Sequence, residues 1–266
     1  MGEIKKATDI NLPSELNVML YGEFASGKTT FATTFPKPLL FFDTDLRHQT
    51  YQGVEGIDYI PYKETGTRPR EYQSFMKDLK KYQEEGEYKT VVLDSITTLF
   101  KLIKFDILGR VGTGSSASEG LTLPQWGQVT ERFEEIFDIL RGYDKHTVIV
   151  SHEQLIQDEL SGEIKTLVMM IGKKFPQRAP LYIDEIYYCH TAKDRETREL
   201  QYLARTRSDR SHPARTSLNL RDKNERVIPI LDEVEPQNFN VIMDKVKEAR
   251  DNPEKYIKKV KKERSE

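Results

Sequence analysis

The sequence predicts an α/β fold in which a mostly parallel sheet is flanked by helices, with antiparallel strands at one edge. Three observations carry that expectation. Short runs that are apolar throughout alternate with helical-period segments as far as residue 151, the pattern of strands buried on both faces between crossover helices. Two later runs, Glu185-Ile186-Tyr187-Tyr188-Cys189 and Leu200-Gln201-Tyr202-Leu203, bracket a charged turn and read as an antiparallel pair. The polar residues that stand out chemically fall at the ends of strand-like runs, where open α/β sheets hold their ligands.

Residues 1–13 form a polar lead-in, with Pro13 just ahead of a first strand over Leu16 to Tyr21. A glycine-containing turn follows, then a short helix from Lys28 to Phe35 that Pro36 and Pro38 bring to an end. The second strand, Pro38 to Phe42, stops at Asp43-Thr44-Asp45. After a loop at 63–70, Tyr72, Phe75, Met76 and Leu79 recur at helical spacing and predict a helix over 70–84. Val91-Val92-Leu93 is a buried strand ending at Asp94-Ser95, and Ile96, Leu99, Phe100, Ile103 and Ile107 form the helical stripe after it, with Gly109 as its stop. Residues 109–123 are rich in Gly and Ser and read as a flexible loop. Pro124 opens a helix whose apolar face runs from Trp126 to Leu140. The strand Thr147 to Val150 ends at Ser151-His152-Glu153-Gln154, and a hairpin is expected around Ser161-Gly162. A basic stretch from Arg205 to Arg226 precedes a helical, Lys-rich segment over 236–264. The expected organisation is a lead-in at 1–13, one α/β domain at 14–235 and a basic helical tail at 236–266.

Bulk properties narrow the function classes. At 266 residues, 32% charged and 37% hydrophobic, the chain has room for one α/β domain with appendages. A net charge of −2 gives no global pull toward nucleic acid, so binding of that kind needs a local basic surface. Cys189 is the only cysteine, which excludes an internal disulfide and a cysteine-built zinc site. No run approaches the roughly 20 apolar residues of a membrane span, and Met1-Gly2-Glu3-Ile4-Lys5 lacks the apolar region of a signal peptide. A cytoplasmic setting away from membranes is the expectation.

Gly22-Glu23-Phe24-Ala25-Ser26-Gly27-Lys28-Thr29 matches the pattern G-x-x-x-x-G-K-[ST] at every fixed position. That spacing wraps backbone N–H groups around the phosphates of a nucleotide, and here it stands between a strand and a helix as it must. The binding segment is expected to run from Gly22 through Thr30, with N–H groups of residues 24–29 and the following helix offsetting phosphate charge. Lys28 should reach the β- and γ-phosphates of ATP, and the Thr29 hydroxyl should hold Mg²⁺. Asp94, after three apolar residues, is placed to hold the same Mg²⁺ through water.

Four further residues are catalytic candidates. Asp43 and Asp45 would face the same side of an extended strand, but a turn at Thr44 would separate them. Asp45 is favoured as the group that orients the attacking water, its plain alternative being a loop or cap residue. His152 ends a strand beside Asp94 in the inferred order, either sensing the γ-phosphate or serving as a hydrogen-bonded structural residue. Arg205 and Arg207 share a face and either stabilise transition-state charge, in their own subunit or a neighbour's, or form a solvated strand end.

This order of parts resembles the RecA-type P-loop ATPase core, and within it the small phage RecA-like ATPases of single-strand DNA annealing and recombination. The resemblance spans about residues 14–210. It implies that the chain binds and hydrolyses ATP with Mg²⁺, binds single-stranded DNA, and assembles into a filament or ring with ATP near the subunit interfaces. Under it Arg205 and Arg207 reach the neighbour's nucleotide, and a single-strand-binding protein is a further partner. Asp45 departs from the family, which usually has a glutamate there. The family's two DNA-binding loops would correspond to 110–123, carrying Arg110, and to 153–178, carrying Lys165, Lys173, Lys174, Phe175 and Arg178. The plain alternative for both is a disordered connection. Other classes with the same loop are a helicase loader or DNA-motor accessory ATPase, a small-molecule kinase, and a nucleotide-gated binding module that barely hydrolyses.

Overall fold

The computed structural model describes residues 13–112, 120–157, 162, 164–169 and 181–263. Eleven strands and six helices are found among them: β1 Asn17–Gly22, α1 Lys28–Ala32, β2 Leu39–Asp43, β3 Ile57–Pro61, α2 Glu71–Glu84, β4 Thr90–Asp94, α3 Ile96–Leu108, α4 Leu123–Arg141, β5 His146–Gln157, β6 Ile164–Val168, β7 Glu185–Lys193, β8 Leu200–Arg205, β9 Asn219–Arg221, β10 Val227–Pro229, β11 Val234–Pro236, α5 Phe239–Asp251 and α6 Pro253–Glu263. The main sheet runs β11-β8-β7-β1-β5-β4-β2-β3, with β6 paired to β5 beyond that path. Pairs from β7 to β3 are parallel, whereas β8 and β11 add antiparallel at the edge. The expected fold class, a mostly parallel sheet with helices and antiparallel edge strands, is the one observed.

Alternation along the strands builds two cores. Met19 and Tyr21 of β1, Leu40 and Phe42 of β2, and Val91 and Leu93 of β4 face the helices α2, α3 and α4. Val18, Leu20, Leu39, Phe41 and Val92 face α1, α5 and α6. Strands covered on both sides need apolar residues at every position, and this is why they read as continuous runs. Phe239 of α5 stacks on Phe35 with centroids 3.8 Å apart. Residues 239–251, expected at the start of a basic helical tail, thus bury Phe239, Ile242, Val246 and Ala249 against the sheet.

Several boundaries depart from expectation. The first helix stops at Ala32 rather than Phe35, because Thr33, Thr34 and Phe35 donate their N–H groups to carbonyls three residues back and so tighten the turn. β3 and β11 are strands the sequence did not announce. One is half-exposed at an edge and the other is three residues long. β5 does not end at His152 but continues to Gln157 and pairs antiparallel with β6. Ser95 caps α3 by accepting from Thr98 N, and Gly109 closes it in the left-handed region at φ 66°.

Candidate functional site

Register sets the site. At the carboxyl ends of the parallel strands Asp43 of β2 lies opposite Asp94 of β4, and Gly22 of β1 lies opposite His152 of β5. His152 is thus the last residue of the parallel ladder, one position before the antiparallel pairing with β6 begins at Glu153. Beyond these ends a cavity of about 420 Å³ opens over the loop 22–29.

Backbone geometry explains the loop's glycines. A Cβ on Gly22 would lie 2.1 Å from the Cys189 carbonyl oxygen of neighbouring β7, and one on Gly27, at φ 89°, would lie 2.5 Å from Gln237 Oε1 and 2.6 Å from the Tyr202 ring. Lys28 is 6% exposed. Its ammonium donates to the carbonyls of Gly22 at 3.0 Å and Glu23 at 2.7 Å and to Ser26 Oγ at 3.3 Å. Burial lowers its pKa, partly offset by Cys189 and the carboxylates of Asp94, Glu153 and Asp45. One hydrogen bond ties the two nucleotide motifs together: Thr29 Oγ1 donates to Asp94 Oδ2 at 2.7 Å.

The turn at Thr44 gives Asp43, the last residue of β2, and Asp45, just beyond it, different surroundings. Thr44 N and Asp45 N both donate to the Asp94 carbonyl, and Thr44 Oγ1 donates to the Ser95 carbonyl and accepts from Ser95 N. The Asp94–Ser95 peptide is cis. Asp43, 2% exposed, is taken up structurally, accepting from Tyr51 OH and from Arg47 N. Asp45 faces the cavity instead, accepting from Ser95 Oγ at 2.7 Å and lying 3.3 Å from His152 Nε2. Burial works to raise the Asp45 pKa, but hydrogen bonds from His152, Thr98 and Ser95 outweigh it and hold the group below its ordinary value. Asp94 goes the other way. Desolvation pushes it up to about 6, with the negative charges of Asp45 and Asp43 adding to the rise against Thr29 and Lys28.

A buried carboxylate with a raised proton affinity, bonded to a threonine hydroxyl, is an oxygen donor set that a hard divalent cation fits. Magnesium is usually held by one or two carboxylates together with substrate phosphates. Among the described residues no group of three or more His, Cys, Asp or Glu is arranged to hold a metal on its own.

Of the sequence-predicted residues, the structure gathers Ala25 through Thr30, Asp45, Asp94 and His152 around this cavity. Gly22, Glu23 and Phe24 complete the loop below it, and Phe24 is 65% exposed. Arg205 and Arg207 do not line the cavity. Arg205 is ion-paired with Glu233 and with Asp209, and Arg207 donates through Nη2 to the Leu231 carbonyl. Arg110 and Lys165 are exposed, the latter on β6. Lys173, Lys174, Phe175 and Arg178 lie outside the described residues, as do positions 113–119 of the first loop.

Six cavity residues were not among the predicted site residues: Phe31 and Val150, which belong to the core, and Arg47, Thr50, Tyr202 and Gln237. The Arg47 guanidinium stands 4.7 Å from the Phe24 ring centroid, a cation–π contact with the loop itself. Its position two residues after Asp45 was the one available signal. Tyr202 and Gln237 arrive from β8 and from just after β11, and neither carries a motif.

A family model described as an AAA domain (AAA_24) matches residues 14–218. Among solved structures the chain is similar to a KaiC-like protein from the hyperthermophilic archaeon Pyrococcus horikoshii, at 15% identity over 80% of this chain and 89% of that one, TM-score 0.41. It is also similar to the RadB recombinase, at 12% identity over 72% and 87%, TM-score 0.40. The flagellar accessory protein FlaH from Methanocaldococcus jannaschii is matched at 11% identity over 72% and 78%, TM-score 0.35. No curated protein matches the chain.

Proposed function

The chain belongs to the AAA-domain family, and from that premise we propose that it is a Mg²⁺-dependent ATPase that binds single-stranded DNA and promotes strand annealing or homologous recombination. The observation that carries the nucleotide half is the 2.7 Å bond from Thr29 to Asp94. It joins the helix leaving the glycine loop to the carboxyl end of β4, the two places from which a nucleotide–metal complex is gripped. In this reading N–H groups of residues 24–29 surround the phosphates, and Lys28 leaves its loop carbonyls for the β- and γ-phosphates. Thr29 and Asp94 would hold Mg²⁺. Bound there, the ion would supply charge neutralisation to the phosphates.

Asp45 is the residue proposed to orient the hydrolytic water. Its lowered pKa keeps it ionised as an acceptor, and its contact with His152 links that water to β5. The DNA half is supported by continuity. β5 runs from His152 straight into the hairpin that carries exposed Lys165 and the exposed apolar residues Leu155 and Ile164, so the occupant of the cavity and the hairpin share one strand. Arg205 and Arg207 are proposed to act on a neighbouring copy's nucleotide within a filament or ring. Residues 14–235 are proposed as the ATPase unit, in an intracellular setting, with a single-strand-binding protein as a further partner.

The test is ATP turnover by the full chain with no DNA, single-stranded DNA, duplex and RNA, for the natural sequence and for Asp45→Asn. Stimulation by single-stranded DNA, with turnover lost and ATP binding kept in the variant, is the expected result. Turnover that no nucleic acid changes, together with single-strand affinity indifferent to ATP, would remove the DNA half. A nucleotide-gated module that barely hydrolyses is a second reading favoured by one observation. Both Asp45 carboxylate oxygens already have partners, and in that case Asp45→Asn would leave a residual turnover unchanged.

A further inference from the structure

The cavity straddles β1, and its two sides differ in chemistry. From just after β2, and from β4 and β5, all on one side of β1 in the sheet, come Asp45, Asp94 and His152. From β8 and the residue after β11, on the other side, come Tyr202 and Gln237, both uncharged. An aromatic ring and an amide match a nucleoside better than a phosphate. Building on the nucleotide reading of the cavity, we propose that Tyr202 is the platform on which the base of the bound nucleotide stacks.

The ring is held for that task on one side and open on the other. It lies so close to Gly27 that a Cβ there would come within 2.6 Å of its Cδ1, which places the ring against the glycine loop. The Tyr202 carbonyl accepts from Gln237 N at 3.1 Å. The Gln237 amide nitrogen then donates to both the Ser26 carbonyl at 2.8 Å and the Leu203 carbonyl at 2.9 Å. One side chain thus fastens the loop to the strand beside Tyr202. Two carbonyl partners also fix which end of the amide is nitrogen, so Gln237 Oε1 is the atom left buried without a hydrogen-bond partner. With that anchorage the tyrosine is still 46% exposed. An ordered aromatic with a free surface beside a phosphate-binding loop is what a base needs, and stacking tolerates any base because each has a π-face.

The experiment measures dissociation constants of ATP, ADP and inorganic tripolyphosphate, with Mg²⁺, for the natural chain and for Tyr202→Ala, Tyr202→Leu and Tyr202→Phe. Losing a base–aromatic stack should weaken ATP and ADP roughly ten- to a hundred-fold. Tripolyphosphate, which has no base, should bind the Ala and Leu variants as it binds the natural chain, and Tyr202→Phe should retain nucleotide affinity. The inference is overturned if the Ala and Leu variants bind ATP normally. It is equally overturned if they lose tripolyphosphate and ATP alike, the mark of a merely structural residue, or if they lose self-association while single subunits bind ATP normally. A natural chain that binds none of the three ligands would instead overturn the nucleotide reading beneath it.

Discussion

Two carboxylates in one cavity are driven in opposite directions by their surroundings. Asp45 accepts hydrogen bonds and stays ionised, whereas Asp94, 4% exposed, holds its proton up to about pH 6. The sign of the consequence follows from linkage. Between pH 4 and 6 the folded chain holds a proton on Asp94 that the unfolded chain has released, so unliganded stability falls as pH rises through that window. Asp94→Asn should remove this slope, leaving the variant more stable than the natural chain at pH 7 by on the order of 2–3 kcal/mol. Thermal unfolding of both proteins from pH 4 to 8 checks it, and parallel curves would show that Asp94 pays no desolvation cost. Nucleotide–Mg²⁺ affinity should run the other way, climbing to a plateau above pH 6 as the proton stops competing with the ion. At this scale the sequence disclosed what depends on local spacing, namely the loop 22–29 and Asp94. It favoured Asp45 over Asp43 but could not fix the turn that separates them, which depends on Thr44 bonding across to Ser95, fifty-one residues away. Tyr202 and Gln237 were illegible because only sheet order brings β8 and β11 beside the glycine loop.

At the scale of elements, the strands buried on both faces announced themselves and the marginal ones did not. β1, β2 and β4 are apolar almost throughout, whereas β3 is half-exposed and shares hydrogen bonds with one neighbour, so no period marks it. β5 was underestimated because its second half leaves the core. It leaves β4 after Val150 and β1 after His152, pairs with β6 from Glu153, and beyond Ser151 its residues change from buried to half-exposed and exposed. The helix α5, the last but one, has a share in the core that the sequence did not signal. Phe239 is 1% exposed, stacks on Phe35, and has its backbone N bonded to Thr34 Oγ1 at 2.9 Å. Phe239→Ala should therefore lower stability by about 3–5 kcal/mol, read as a fall in the denaturation midpoint. A change under about 1 kcal/mol would mean that α5 is an appendage with no share in the core.

Seen whole, the molecule places its nucleotide chemistry at one end of the sheet and two arginines on the antiparallel edge, outside that cavity. With Arg205 engaged by Glu233 and Asp209, and Arg207 by the Leu231 carbonyl, the proposal that they serve a neighbour has a direct consequence. Mixing Arg207→Ala chains, whose cavities are intact, with Lys28→Ala chains, whose arginines are intact, should restore part of the turnover that each lacks alone. Additive, unrestored rates would place the arginine's effect within its own subunit. None of the helices among the described residues is long and apolar enough to cross a membrane.

The central claim is that residues 22–29, with Thr29 bonded to Asp94, form a seat for a triphosphate and its magnesium ion. Calorimetric titration of a hydrolysis-resistant ATP analogue into the full chain, with and without Mg²⁺, tests it in the natural sequence and in Lys28→Ala. Saturable one-site binding that is strengthened by Mg²⁺ and lost in the variant is the predicted result. Equal heats from both proteins, indifferent to Mg²⁺, would contradict it.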